Sequence, residues 1–161
     1  MTALPEAEEV LRRLDRHGWT IAAAESLTGG LVAASLVDVP GASAHLRGAV
    51  VAYATDLKHS ILGVDARLLA DHGPVHPEVA RQMAEGIRTI TARDGVRTDV
   101  GVATTGIAGP ESPDGQRVGT VHLGVSTPTG TQVVSLVLAG DRDAVRRESV
   151  RRALQAVVDA L

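Results

Sequence analysis

The chain has 161 residues, a formal net charge of −3 and no cysteine, which suits one domain and excludes a disulfide framework, a thiolate nucleophile and a cysteine zinc site. One tryptophan, one tyrosine and no phenylalanine leave few side chains on which bases could stack, so nucleic acid is not expected as the main partner. We expect a single cytoplasmic domain over residues 1–161 without membrane contact, because the N-terminus lacks a signal-peptide pattern and no apolar run has membrane-spanning length.

Helices and strands are predicted to alternate from the N-terminus onward. Residues 6–17 have the apolar spacing of an amphipathic helix, and a strand over residues 20–24 and a helix over residues 28–37 are predicted to follow it. The continuous apolar run over residues 46–54 is typical of a strand buried inside a sheet rather than one at its edge.

The middle of the chain predicts two short helices, one long helix and a strand. Thr55 or Asp56 can cap a helix that runs through residue 62, and Asp65 can cap another that runs through residue 71. A longer helix over residues 77–94 and a strand over residues 99–104 are predicted next.

The last third begins with a stretch rich in turn-forming residues. Residues 105–118 show no periodicity and predict a long loop, a feature that is usually functional or disordered in a compact domain. Strands over residues 121–126 and 132–138 form a predicted antiparallel hairpin, and Asp141 can cap a final helix that reaches the C-terminus. The whole pattern predicts a three-layer α/β/α domain with a mixed, mostly parallel sheet that contains one antiparallel hairpin.

A strand, a tight turn and a helix start are predicted over residues 21–30, Ile-Ala-Ala-Ala-Glu-Ser-Leu-Thr-Gly-Gly. A serine at such a junction, Ser26, stands at the end of the strand and can act as a nucleophile. Backbone N–H groups around Thr28, Gly29 and Gly30 could then stabilise an oxyanion. The alternative is that Ser26 or Thr28 only caps the helix.

A serine nucleophile needs a base, and histidine is the usual one. None of the six histidines has a recognisable acid partner or triad spacing. His72 and His76 are four residues apart, but Gly73 and Pro74 lie between them, so they do not share a helix face for a metal ion. The sequence therefore predicts neither a metal site nor a cofactor.

Lysine offers the other solution for the base. Lys58 is the single lysine among 16 basic residues, and a desolvated lysine can lose its proton whereas an arginine cannot. Tyr53, five residues earlier, could bond to Lys58 or Ser26 and relay the proton. The alternatives are an arginine-biased codon usage, a solvated Lys58, and a half-buried Tyr53 that only fills space.

A glycine-rich segment offers exposed N–H groups for an anion such as a phosphate. Arginines near the start of the last helix could add contacts to it, although arginine on an amphipathic helix is usually solvated. The predicted contact residues are Thr105, Gly106, Ala108, Gly109, Arg142 and Arg146. The segments 25–30, 53–58 and 105–110 each follow a strand, and ligands of open α/β sheets collect at that edge.

Several blocks of sequence, in this order, resemble the CinA C-terminal domain family of nicotinamide-nucleotide amidohydrolases over nearly the whole chain. They are Ala-Glu-Ser-Leu-Thr-Gly-Gly at 24–30, residues 48–53 with Lys58 and 62–64, Gly-Pro-Val at 73–75 with 78–80, Ala-Thr-Thr-Gly-Ile-Ala-Gly-Pro at 103–110, and Val-Gly-Thr-Val at 118–121. The resemblance implies a three-layer α/β/α domain that hydrolyses nicotinamide mononucleotide to nicotinate mononucleotide and ammonia. It also implies Ser26 as the nucleophile, with Lys58 and Tyr53 as its partners.

Departures from the family pattern concern residues around the predicted site rather than the proposed catalytic groups. Leu27 stands where many members have cysteine, and Gln116 and Arg117 stand where Lys-Pro is frequent. Two alternatives to this amidohydrolase stay open: a regulatory module that binds a nucleotide without turnover, and an amidase for another carboxamide. The expected partner is a small-molecule nucleotide, and a homo-oligomer is left open.

Overall fold

A five-stranded sheet forms the centre of the protein, whose computed structural model describes residues 2–161; Met1, the first residue of the predicted domain, lies outside them. The strands are β1 Ile21–Glu25, β2 Leu46–Val51, β3 Val100–Gly106, β4 Thr120–Thr127 and β5 Gly130–Val137. The α-helices are α1 Pro5–His17, α2 Leu31–Val37, α3 Thr55–Ser60, α4 Ala66–His72, α5 Pro77–Ile90 and α6 Arg142–Ala160. A short 3-10 helix, Ala42–Ala44, precedes β2.

The strands lie in the order β2-β1-β3-β4-β5. β1 pairs in parallel with both β2 and β3, whereas β4 is antiparallel to β3 and to β5. Four of the five strands therefore run in one direction and β4 runs in the other. The predicted mixed, mostly parallel sheet with a hairpin is confirmed, and β4 adds a second antiparallel pairing with β3.

Two layers of helices cover the sheet, which confirms the predicted three-layer α/β/α fold. Ile21 and Ala23 of β1 belong to the apolar core beneath α1, α2 and α6, whereas Ala22 and Ala24 face the core beneath α4 and α5. This alternation follows from the two-residue period of a strand. It also places Ser26 and Glu25 on opposite faces.

Small residues let α5 approach the sheet closely. A Cβ atom added to Gly101 of β3 would lie 2.0 Å from the carbonyl oxygen of Ala84, and one added to Gly124 of β4 would lie 2.3 Å from that of Ala80. Real Cβ atoms do not reach such distances, so both glycines are needed for this packing. They offset the lack of large aromatic side chains in the core, because close contact maximises dispersion attraction.

The prediction of a buried interior strand over residues 46–54 is wrong. β2 lies at the edge of the sheet and ends at Val51, and Arg47, Ala49 and Val51 face solvent. The apolar alanine and valine on the exposed face hide the alternation that normally identifies an edge strand.

Several predicted helix boundaries hold and others shift. The side chains of Asp65 and Asp141 cap α4 and α6 as predicted, by accepting bonds from Arg67 N and Leu68 N and from Ala144 N. Neither Thr55 nor Asp56 caps α3, which begins at Thr55 after Ala54 and has no side-chain cap. Across the described residues, none of the helices combines the length and the apolar character needed to cross a membrane.

Three further boundaries differ from the predicted ones. α2 begins at residue 31 rather than 28, α5 ends at residue 90 rather than 94, and β3 continues to residue 106. At the end of α5, the hydroxyl of Thr91 donates to the carbonyl oxygen of Ile87 at 2.6 Å, a local bond that competes with continued helix. The loop after β3 therefore spans residues 107–119.

Candidate active site

The carboxyl ends of β1, β2 and β3 surround a cavity of about 410 Å³, a size typical of small-molecule sites. The turn after β1 contributes Ser26, the segment after β2 contributes Tyr53 and Lys58, and the end of β3 contributes Thr105 and Gly106. The other lining residues are Leu27, Thr55, Pro74, Val75, Ile107, Ala108, Gly109, Glu111, Pro113, Asp114 and Arg142. The three segments that the sequence singled out thus meet around one space.

Lys58 and Ser26 form a hydrogen-bonded pair at the base of this cavity. The side chain of Lys58 is buried, and its Nζ lies 2.9 Å from Ser26 Oγ. Nζ also donates to the carbonyl oxygens of Ala52 at 2.7 Å and Tyr53 at 3.3 Å. Burial lowers the pKa of Lys58 from 10.5 to about 8, since desolvation disfavours the ammonium form.

The contacts of Lys58 suit the neutral amine. Lys58 forms no ion pair within residues 2–161, so no carboxylate stabilises its charge. When the amine is neutral, its two N–H groups can donate to the carbonyls of Ala52 and Tyr53, and its lone pair then faces Ser26 Oγ. The pair can therefore take the serine proton onto Lys58.

The turn that carries Ser26 is held from below by Glu25. The buried carboxylate of Glu25 accepts bonds from the backbone N–H groups of Gly30, Val32 and Ala33 and from the hydroxyl of Thr28. These bonds satisfy donors at the start of α2, which no helix residue can do. The sequence had left Glu25 without a role, and the structure places it as the cap of this helix.

This arrangement corrects the predicted oxyanion site around Thr28, Gly29 and Gly30, none of which lines the cavity. Gly29 N–H donates to Ser26 O, and Gly30 N–H donates to Glu25. The two glycines have φ values of 60° and 101°, so their role is to permit the turn. The N–H of Leu27 has no acceptor in the described chain, and Leu27 lines the cavity, so the free donor lies next to Ser26.

Tyr53 does not have the predicted contacts. Its side chain is 60% exposed rather than half-buried, and its hydroxyl accepts a bond from Arg142 Nη2 at 3.2 Å. Only the backbone carbonyl of Tyr53 bonds to Lys58. The predicted proton relay from Ser26 or Lys58 through the phenol is therefore wrong for this arrangement, and Tyr53 instead lines the cavity.

Arg142 joins two sides of the cavity. Its Nη1 donates to the carbonyl oxygen of Gly109 at 2.7 Å, while Nη2 contacts the hydroxyl of Tyr53. Thr105 and Gly106 line the cavity with Ala108 and Gly109, but the Thr105 hydroxyl already donates to Pro74 O at 2.6 Å. Arg142 is thus the guanidinium of this cavity that could meet an anion.

Arg146, the other arginine predicted to bind substrate, lies elsewhere. Its Nε donates to the carbonyl oxygen of Leu27 at 2.9 Å and its Nη2 to that of Thr28 at 3.3 Å. It does not line the cavity. The structure therefore gives Arg146 another role from the predicted one, because its side chain holds the Ser26 turn against α6.

Sequence reasoning missed two parts of the site. It treated Gly73 and Pro74 as a separator between helices, yet Pro74 and Val75 line the cavity. It also considered Thr104 only as part of the glycine-rich segment for an anion, whereas its hydroxyl lies 3.3 Å from Ser26 N. The presence of both segments in the matching family blocks was the available signal. His59, the neighbour of Lys58 in the sequence, forms a hydrogen bond through Nδ1 with Val64 O at 2.7 Å.

The fold and this site define an α/β domain with a serine–lysine pair at the carboxyl edge of its sheet. The chain belongs to the CinA C-terminal domain family, whose model matches residues 4–161. It is 47% identical over 148 residues to a CinA-like protein of Frankia casuarinae and 43% identical over 154 residues to a putative competence-damage inducible protein of Caldanaerobacter subterraneus. These alignments cover 92% and 94% of this chain but only 33% and 36% of the two relatives. The chain therefore spans about a third of the length of these relatives.

Solved structures share the fold over almost their full length. A CinA superfamily protein of Klebsiella pneumoniae is 32% identical, with a TM-score of 0.89, and the match covers 96% of this chain and 94% of that one. A competence/damage inducible protein of Agrobacterium tumefaciens is also 32% identical, with a TM-score of 0.86, and the match covers 99% of this chain and 98% of that one. The three-layer architecture is therefore that of the family.

Proposed function

We propose that this domain is an amidohydrolase that converts nicotinamide mononucleotide to nicotinate mononucleotide and ammonia, with Ser26 as the nucleophile and Lys58 as its base. One observation carries the proposal: a buried lysine with a lowered pKa lies 2.9 Å from a serine hydroxyl. That is the arrangement of a serine–lysine nucleophile. The family resemblance supplies the substrate.

The first half-reaction forms an ester between Ser26 and the substrate. Neutral Lys58 takes the proton of Ser26 while Oγ attacks the carboxamide carbon, and the cationic pyridinium ring makes that carbon more electrophilic. The N–H of Leu27 lies next to the nucleophile and can donate to the oxyanion, which lowers the barrier by about 3 kcal/mol in comparable sites. The protonated Lys58 then gives its proton to the amide nitrogen, and ammonia leaves.

The second half-reaction returns the enzyme to its starting state. A water molecule attacks the ester carbon, and neutral Lys58 takes a proton from this water. Collapse of the tetrahedral intermediate breaks the bond to Oγ, and Lys58 returns the proton to Ser26. The products are the carboxylic acid and an unchanged serine.

The charges around the cavity support a substrate with charge of both signs. Arg142 offers a guanidinium to the phosphate of the mononucleotide, and arginine pairs well with phosphate oxygens. Glu111 and Asp114 also line the cavity, and their carboxylates favour a positively charged pyridinium ring over a neutral one. Nicotinamide mononucleotide carries both features.

Ammonia release from a panel of carboxamides tests the proposal. The panel is nicotinamide mononucleotide, nicotinamide riboside, free nicotinamide and glutamine, assayed with wild type, Ser26→Ala and Lys58→Met. Wild type is expected to prefer the mononucleotide, and both variants are expected to lose activity by at least about a thousandfold, as for other removed nucleophiles and bases. Ser35→Ala, which removes a hydroxyl that bonds only to Leu31 O within α2, is the control and should retain full activity.

The other outcomes separate the alternatives. Tight binding of the mononucleotide by wild type without ammonia release would favour a nucleotide-binding regulatory module. Release from another carboxamide, abolished in Ser26→Ala, would keep the mechanism and change the substrate. Ammonia release that survives Ser26→Ala would contradict the proposed nucleophile.

A further inference from the structure

Three polar side chains lie behind the nucleophile, on the face of β1 opposite Lys58. Glu25, Thr28 and Thr104 are each fully buried, and none of them lines the cavity. Burying polar groups costs free energy unless every one is hydrogen-bonded. The burial of three polar side chains so close to Ser26 therefore calls for an explanation.

The three side chains form a single chain of hydrogen bonds that ends on Ser26. The hydroxyl of Thr28 donates to Glu25 Oε2 at 2.7 Å, and the oxygen atoms of the Thr28 and Thr104 hydroxyls lie 2.8 Å apart. Ser26 N–H in turn reaches Thr104 Oγ1 at 3.3 Å and the carbonyl oxygen of Thr104 at 3.1 Å.

The direction of this chain is fixed at its Glu25 end. The carboxylate receives three backbone N–H groups besides the Thr28 hydroxyl, so it acts only as an acceptor. Thr28 must then donate to Glu25, and Thr104 must donate to Thr28. The free lone pairs of Thr104 Oγ1 are left for Ser26 N–H, and successive bonds of this kind polarise one another.

We propose that Thr104, through this chain with Thr28 and Glu25, is a positioning residue that holds Ser26 in its reactive orientation. The proposal rests on the proposed function of Ser26 as a nucleophile. Because the three side chains are sealed from the cavity, they cannot touch a substrate. Their one link toward the cavity is the N–H of Ser26, which anchors the backbone from which Oγ and the adjacent Leu27 N–H project.

This role is separable from the capping of α2. Glu25 reaches Gly30, Val32 and Ala33 directly, and none of these bonds passes through Thr104. A valine at position 104 has nearly the same shape as threonine, but it replaces the hydroxyl by a methyl group that can neither donate nor accept a hydrogen bond. The Ser26 N–H then retains the carbonyl of Thr104 but loses its second acceptor and the directional constraint.

Thr104→Val and Thr104→Ser test the proposal together. We expect kcat for ammonia release from nicotinamide mononucleotide to fall about tenfold in Thr104→Val, less than the roughly hundredfold cost of a 1 Å misplacement, with KM within about twofold of wild type. Thr104→Ser restores the hydroxyl and should recover most of the rate. Thr98→Val, which removes a buried hydroxyl paired with Thr91 at the opposite edge of the sheet, is the control and should leave kcat unchanged.

A fluorophosphonate probe gives a readout that is independent of the substrate. Ser26 Oγ forms a bond to phosphorus, fluoride leaves, and the serine proton passes to Lys58. We expect Thr104→Val to reach the same final extent of labelling as wild type, but at a rate about tenfold lower, as for kcat. If Thr104 only stabilised the fold, the substitution would instead lower the fraction of protein molecules that are labelled. If Thr104→Val does not fold, Thr28→Val serves as a second variant, because it interrupts the same series of hydrogen bonds at the neighbouring residue.

The outcomes distinguish this inference from the proposed function. Wild type that is labelled but releases no ammonia from the mononucleotide overturns the substrate, while the labelling rate of Thr104→Val still decides the role of Thr104. Wild-type rates of both labelling and turnover in Thr104→Val overturn the inference and leave the proposed function intact. Wild type that is neither labelled nor active overturns both the proposed function and this inference, because Thr104 then has no nucleophile to position.

Discussion

Lys58 Nζ lies 2.9 Å from Ser26 Oγ although 32 residues of sequence separate the two, and the pairing of β1 with β2 makes this contact. Glu25, the last residue of β1, pairs with Val51, the last residue of β2. The two chains therefore leave the sheet side by side, and α3 turns Lys58 back beneath Ser26. The parallel register of two neighbouring strands thus sets the central geometry of the candidate site.

The pH dependence of turnover is the first prediction. Lys58 must be neutral to accept the serine proton, and burial lowers its pKa to about 8. Since the neutral form of a base accumulates above its pKa, kcat should rise about tenfold per pH unit below 8 and level off above it. At pH 7 roughly one tenth of the enzyme should have the active protonation state.

Ammonia release at saturating substrate, measured between about pH 6 and pH 10, checks this profile. Circular dichroism at each pH is the control for folding. A rate that stays constant from pH 6 to pH 9 would contradict a base with the pKa of Lys58.

Removal of the Tyr53 hydroxyl is the second prediction. Lys58 contacts the carbonyl oxygen of Tyr53, whereas the phenol is exposed and meets Arg142. Tyr53→Phe keeps the backbone and the ring, so kcat should stay within about twofold of wild type. KM should rise modestly, by an amount that corresponds to the free energy of one hydrogen bond. A fall of about a hundredfold in kcat, the scale of lost general acid–base catalysis, would instead restore the phenol as a proton carrier.

Most of the fold could be predicted from the sequence, because it depends on the periodicity of apolar residues and on the order of the helices and strands along the chain. Alternating helices and strands predicted the three layers, and the turn at residues 128–130 predicted the β4–β5 hairpin. The edge position of β2 was not readable, since strand order is set by long-range pairing. Exposed Ala49 and Val51 also gave that strand the composition of a buried one.

The sequence predicted the residue types of the candidate site and their position at the ends of strands, but not their contacts. Spacing placed Ser26, Lys58 and Tyr53 at one edge, but it could not tell the carbonyl of Tyr53 from its phenol as the partner of Lys58. Similarly, the two-residue period of a strand is enough to predict that Glu25 faces away from Ser26, and it does. That its carboxylate reaches around to Gly30 N–H, and so removes a predicted oxyanion donor, depends on the exact path of the turn.

Loss of the Arg142 guanidinium is the third prediction. Arg142 is proposed to meet the substrate phosphate, and a hydrogen bond to a charged group contributes about 1.5–3 kcal/mol. Arg142→Gln should therefore raise KM for nicotinamide mononucleotide by at least about tenfold, with a smaller effect on kcat. The same variant should change KM for nicotinamide riboside little, because the riboside has no phosphate.

Arg147→Gln is the matched control for this change. Arg147 lies on the same helix, pairs with Asp143 at 2.7 Å and is exposed, and it does not line the cavity. Its replacement should leave both kinetic constants unchanged. An equal loss of affinity for mononucleotide and riboside in Arg142→Gln would show that Arg142 shapes the cavity through Gly109 rather than binding phosphate.

The close approach of α5 to the sheet gives the fourth prediction, which concerns stability. A Cβ at position 101 would lie 2.0 Å from the carbonyl oxygen of Ala84 and 2.9 Å from side-chain atoms of Ile87 and Arg88. Because the obstructing atom is backbone, Gly101→Ala must push α5 away from β3. We expect it to lower the free energy of unfolding by about 3 kcal/mol or more, at or above the usual range for overpacking.

Gly18→Ala separates this steric effect from the conformational preference of glycine. Gly18 ends α1 with φ 65°, and no atom lies within 4 Å of an added Cβ. Its replacement should cost only about 1–2 kcal/mol, the price of a left-handed conformation for an L-residue. Urea unfolding followed by circular dichroism measures both variants. Because Gly101 does not have the positive φ that restricts Gly18, its loss has a steric origin, and a loss below about 1 kcal/mol in Gly101→Ala would contradict the steric argument.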